Sequence, residues 1–149
     1  MIVKTFALLV AALTSGMLAA DTGGVGRGDL TVELTGLKSD EGSVVFAMWS
    51  GPENWLGDGA VREGSAPIED GHSRIRIESL PYGEYAISAF HDVNANQKLD
   101  TGFFRIPKEP IGTSNDAKVR FGPPKYDDAR FVLDQPELTI TIPIRKLFE

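Results

Sequence analysis

The strongest constraint on this chain is a period-two alternation that recurs in short runs and is broken each time by turn residues. Leu30, Val32 and Leu34 alternate with Thr31, Glu33 and Thr35, and Ile75 and Ile77 alternate with Arg74, Arg76 and Glu78. Tyr85, Ile87 and Ala89 form a third such row, and Phe131 and Leu133 a short fourth. Leu138, Ile140, Ile142 and Ile144 make the cleanest row, against Glu137, Thr139, Thr141 and Arg145. Successive side chains of a strand point to opposite faces, so each row is one buried face of a half-exposed strand. Val44–Trp49 is apolar on both parities, which predicts a central strand covered on both faces. Ser39-Asp40-Glu41-Gly42, Glu69-Asp70-Gly71 and Pro81-Tyr82-Gly83 supply the turns. No segment sustains a helical period, so the expected fold is all-β: one antiparallel β-sandwich with one long ordered loop excursion.

Ahead of the first strand, Lys4, the apolar run Phe6–Leu13 and the small pair Ala19-Ala20 have the form of a cleavable export signal over residues 1–20. That run is too short to span a bilayer, and none comparable follows it. Residues 21–28 read as a flexible glycine-rich leader and 29–149 as the sandwich domain, in a periplasmic or secreted location. Removing residues 1–20 takes Lys4 from the 15 basic residues and none of the 21 acidic ones, so the net charge of −6 becomes −7. Such a domain repels phosphate backbones, which argues against a nucleic-acid partner. With no cysteine there is no disulfide, thiolate nucleophile or lipidation site, and stability rests on the core.

The turn Leu80-Pro81-Tyr82-Gly83-Glu84-Tyr85 is the most diagnostic short segment. Gly83 is expected to take a positive φ, Leu80 to plug the core, and the Tyr85 hydroxyl to bond back to the main chain as a tyrosine corner. This pattern resembles the one in transthyretin-like and collagen-adhesin-repeat-like sandwiches, so it implies a transthyretin-like or immunoglobulin-like fold and marks no activity.

Between Asp92 and Ala129 the alternation stops. A structureless stretch of this length is usually functional or disordered. Phe103, Phe104, Ile106, Ile111, Phe121 and Tyr126 argue against disorder, and the expectation is an ordered excursion packed over one end of the sandwich. Three segments carry a family resemblance: His91-Asp92-Val93-Asn94-Ala95-Asn96-Gln97-Lys98-Leu99-Asp100, then Ile106-Pro107-Lys108-Glu109-Pro110-Ile111-Gly112-Thr113-Ser114-Asn115, then Phe121 to Phe131. Together they resemble the bacterial exported family known as domain of unknown function 2141. The resemblance runs from about Leu30 to Ile144 and implies a periplasmic sandwich without an assigned activity. Gly102 and Thr113 depart from it, standing where an asparagine and an aromatic residue are expected. Within the excursion, His91, Glu109, Ser114 and Asn115 are candidate functional residues.

Asp92, Asn94, Asn96 and Asp100 occupy positions one, three, five and nine of a calcium-loop template, with the Lys98 carbonyl at position seven and Leu99 as an apolar pin at eight. Calcium requires six to eight oxygens, which alternate Asp and Asn side chains in a tight loop can bring together. Gln97 replaces the glycine of position six and Phe103 the bidentate glutamate of position twelve, so a compensating carboxylate must come from Glu109, Asp116, Asp127 or Asp128. The competing reading is that these residues only make side-chain turns. No other cofactor is indicated. His91 ends the core-facing row of Tyr85, His72 reads as surface, and Trp49 and Trp55 as packing.

There is no G-x-S-x-G elbow and no H-E-x-x-H motif, although paired carboxylates need no local motif. Three functions therefore stand. The first is a non-enzymatic binding or accessory module for an envelope protein or small ligand. The second is a small carboxylate- or metal-dependent hydrolase using the 91–128 loop, and the third a structural envelope module. A hydrolase requires two acids, or an acid and His91, in one concave site.

Overall fold

The computed structural model describes residues 25–148; the expected export signal, residues 1–20, and the first half of the expected leader lie outside the described residues. Eight strands form two packed sheets: β1 (Arg27–Thr35), β2 (Ser43–Trp49), β3 (Arg62–Ala66), β4 (Ser73–Pro81), β5 (Gly83–Asp92), β6 (Ile111–Thr113), β7 (Phe131–Leu133) and β8 (Glu137–Pro143). One sheet has the order β4-β1-β8. The other runs β3-β2-β5-β6, with β7 paired to the end of β5 that β6 leaves free. The chain is an all-β sandwich, and its first strand starts at Arg27, two residues before the expected domain edge.

Every pair is antiparallel except β1 with β8, which run parallel from Asp29↔Glu137 to Thr35↔Pro143. A parallel pair needs a long connection, and the whole remaining chain supplies it. The alternating rows meet between the sheets. Leu30, Val32 and Leu34 of β1 pack with Val44, Phe46 and Met48 of β2, Ile75 and Ile77 of β4, and Tyr85, Ile87 and Ala89 of β5. Ile142 is fully buried among them, whereas Ile140 packs against this core from a half-buried position on the edge strand β8.

The tyrosine corner forms as the sequence predicts. Leu80 is buried, and the Tyr85 hydroxyl donates to the Pro81 carbonyl at 2.7 Å. Burial raises the pKa of that phenol above its ordinary value. Gly83 does not adopt the positive φ expected of it. The left-handed residue beside this turn is Ser79, at φ 53°. Its N–H donates to Asp29 Oδ1 at 2.9 Å. That bond, followed by the one from Arg76, holds the Asp29 carboxyl below its usual pKa.

Two features place the excursion. β5 runs straight into it, with Val44↔His91 and Ser43↔Asp92 as the last register pairs before the chain leaves the sheet. Its far end returns under a short helix, α1 (Tyr126–Ala129), where Tyr126 and Ala129 cover the buried Ala86 on the outer face of β5. The excursion thus packs on a sheet face as well as beyond the sandwich end. Trp55 joins this second cluster. It stands edge-on to Trp49 at 5.0 Å and to Tyr126 at 5.8 Å, and its indole N–H donates to the Pro124 carbonyl at 2.8 Å. Both tryptophans are packing residues, as expected.

Candidate functional site in the loop after His91

His91 is buried at the end of the core-facing row, and its Nε2 lies 2.7 Å from the Glu41 carbonyl. A carbonyl only accepts, so Nε2 carries a proton. The turn that delivers Glu41 works because Gly42, at φ 70°, passes against the Asp92 main chain.

Asp92 is fully buried, and its charge is met by the main chain rather than by a cation. Oδ1 accepts the Asn96 N–H at 3.1 Å and Oδ2 the Gln97 N–H at 2.8 Å. Asn94 and Asn96 then repeat the pattern as side-chain turns: Asn94 Oδ1 accepts the Asn96 N–H at 3.3 Å, and Asn96 Oδ1 the Lys98 N–H at 2.9 Å. Their amide nitrogens both point to Asp100. Asn94 Nδ2 donates to its Oδ2 at 2.6 Å and Asn96 Nδ2 to its Oδ1 at 3.0 Å. The four template side chains are therefore brought into one hydrogen-bonded loop. Their oxygens do not meet at a single point, because the two amides stand between them and Asp100.

Two positions that depart from the calcium template can be followed in space. Gln97, in place of glycine at position six, takes the left-handed conformation at φ 62°, as does Ala95 at φ 56°. Glu109, one of the four acids that could replace the glutamate of position twelve, is the one bonded to the loop: it is buried, its Oε1 accepts the Val93 N–H at 3.2 Å and its Oε2 the Asp100 N–H at 3.0 Å. Leu99 does not serve as an apolar pin, since it is 37% exposed. Asp116, another candidate donor, is engaged with Lys118 and with Arg145 at 3.0 Å. Among the described residues no three His, Asp or Glu side chains are grouped to hold a metal ion.

Ser114 and Asn115 serve the far end of the excursion. The buried Ser114 hydroxyl donates to the Ala129 carbonyl at 2.6 Å and accepts the Ile87 N–H at 2.9 Å. Asn115 Nδ2 donates to the Arg130 carbonyl. Nearby, the Gly51 N–H donates to the Tyr126 hydroxyl at 2.8 Å, and burial raises that phenol's pKa. These residues clamp the excursion to β5 and α1.

A cleft of about 540 Å³ opens beside the loop, lined by Lys38, Ser39, His91, Val93, Asn94, Asp100, Lys108, Glu109, Pro110 and Lys146. It brings His91 and two acids into one concave site. Each oxygen of Asp100 and Glu109, however, already accepts a hydrogen bond from the chain. Lys108 belongs to the excursion, whereas Lys38 and Lys146 reach the cleft from distant segments, which sequence spacing does not encode.

Residues 32–141, nearly all of the sandwich and the whole excursion, match a family described as uncharacterized protein conserved in bacteria (DUF2141). The chain belongs to this family. No curated protein and no solved structure matches it. Membership in DUF2141 agrees with the sandwich, and any activity must be argued from the loop itself.

Proposed function

We propose that this DUF2141 chain is an exported envelope domain that acts by binding rather than catalysis, with the 92–100 loop holding a calcium ion that fixes the surface of the excursion. The observation that carries this reading is the closure of Asp92, Asn94, Asn96 and Asp100 into one loop whose sixth residue is left-handed without being glycine. Asp92 and Asp100 would supply charge, Asn94, Asn96 and the Lys98 carbonyl neutral oxygens, and Glu109 a further carboxylate. The asparagine amides would have to turn their oxygens inward, a rotation open to exposed side chains.

Calcium titrated calorimetrically into the wild type is expected to bind in the range of about 10⁻⁴–10⁻³ M typical of extracellular modules. Asp100→Asn is expected to weaken it about tenfold or more, and magnesium, which demands a rigid octahedral shell, to bind poorly. No heat of calcium binding at millimolar concentration would leave the turn reading in its place.

Export rests on Lys4, the apolar run Phe6–Leu13 and Ala19-Ala20. Mass spectrometry of envelope fractions is expected to find a mature chain beginning near Asp21, and a cytoplasmic chain retaining Met1 would contradict it. One observation favours a second reading, the meeting of His91, Asp100 and Glu109 in the cleft, which is the arrangement a small hydrolase would need. Hydrolysis of chromogenic esters or glycosides by the wild type and not by Glu109→Gln would put that reading first.

A further inference from the structure

Phe103 and Phe104 were expected to be buried, yet they stand 91% and 95% exposed at the tip of a small hairpin. The hairpin is firmly built. Thr101 bridges Pro107, the Gly102 N–H donates to the Ile106 carbonyl at 2.8 Å, and the Lys108 N–H donates to the Asp100 carbonyl at 2.8 Å. At the tip Phe104 and Arg105 both take left-handed backbone angles, φ 57° and 59°, which are unfavourable for residues other than glycine. Two adjacent rings are thus held out in water on a hydrogen-bonded base, with the half-exposed Leu99 and Ile106 beneath them.

The hairpin that carries the tip is basic in an acidic chain. Residues 98–108 carry Lys98, Arg105 and Lys108 against Asp100, a net of +2 in a chain of net −6. Asp100 and Glu109 are turned inward to amide and main-chain donors, and Asp116 is paired. What faces outward at the tip is aromatic and cationic.

We propose that the Phe103-Phe104-Arg105 tip docks on an anionic lipid surface, the rings entering the headgroup boundary while Lys98, Arg105 and Lys108 face lipid phosphates. Aromatic rings are favoured at that boundary, and nearby basic side chains are drawn to an anionic leaflet. The convex shape favours lipid over protein. A stable protein interface needs about 1,000 Å² of complementary surface, whereas a bilayer accepts a protruding tip of a few residues.

The test is co-sedimentation of the chain from Asp21 onward, which contains every strand of both sheets, with vesicles of phosphatidylglycerol and phosphatidylethanolamine or of phosphatidylcholine alone. It is run in chelator at low salt, so that its outcome is independent of the calcium reading. Binding to the anionic vesicles alone is expected. Phe103→Ser/Phe104→Ser should weaken it about tenfold or more, as should Arg105→Glu/Lys108→Glu, with melting unchanged because these side chains are exposed. Equal binding to both vesicle types, or a serine variant that binds like the wild type, would overturn the proposal. So would a tip that captures protein and leaves vesicles unbound.

Discussion

Gly42→Ala is expected to lower the melting temperature by about 10 °C or more, corresponding to about 3 kcal/mol. The effect has two sources. Gly42 sits at φ 70°, where a side chain is strained, and a Cβ there would lie 1.9 Å from the Asp92 carbonyl oxygen and 3.0 Å from the Val93 Cα. Those are main-chain atoms, so no rotamer relieves the clash. The strands β2 and β5 must part where the excursion begins, and the Glu41 carbonyl is drawn off His91. Gly122→Ala is the control: a Cβ there meets nothing within 4 Å, and its melt should match the wild type. A Gly42→Ala melt within 2 °C of the wild type, a margin of about half a kcal/mol, would mean the turn is not locked to the loop.

Asp92→Ala is expected to cost about 2–3 kcal/mol, since it strips the acceptor from the Gln97 N–H and leaves the Asn96 N–H only its longer bond to Asn94 Oδ1. Both bonds lost are to a charged oxygen, the stronger kind. Asp92→Asn, which keeps one acceptor oxygen, should lose about half as much. The loss should appear locally as well, as faster amide exchange at Asn96 and Gln97 than in β1. Unchanged protection there would show that Asp92 does not organise the loop.

What the sequence made legible follows the physics of burial. β1, β4, β5 and β8 announce themselves because one face of each is apolar, and the Tyr85 corner because its hydroxyl has a partner four residues back. β3 escapes notice because Arg62, Glu63, Gly64 and Ser65 are all exposed on a sheet edge. The parallel pairing of β1 with β8 is invisible because alternation carries no strand direction. Phe103 and Phe104 mislead because apolar character implies burial only where an element lies over the residue, and a hairpin rooted at Asp100 and Lys108 has none over its tip.

The loop was legible in part. The Asp and Asn spacing marks side chains that one hydrogen-bonded loop joins, although their oxygens do not converge on one point as that spacing suggests. Gln97 shows that a missing glycine does not forbid the left-handed turn glycine favours. The choice of Glu109 as the added carboxylate depends on the return path of the hairpin, which spacing does not encode.

The central claim, that the 92–100 loop is a calcium site, is tested most directly by calorimetric melts in calcium, magnesium and chelator. A site of about 10⁻⁴ M in 10 mM calcium adds about 2.7 kcal/mol by linkage. The expected result is a rise of about 10 °C over chelator in calcium, little or none in magnesium, and about half the calcium rise or less in Asp100→Asn. A wild-type melt that is the same in calcium and in chelator would contradict the account and leave the loop as a set of side-chain turns.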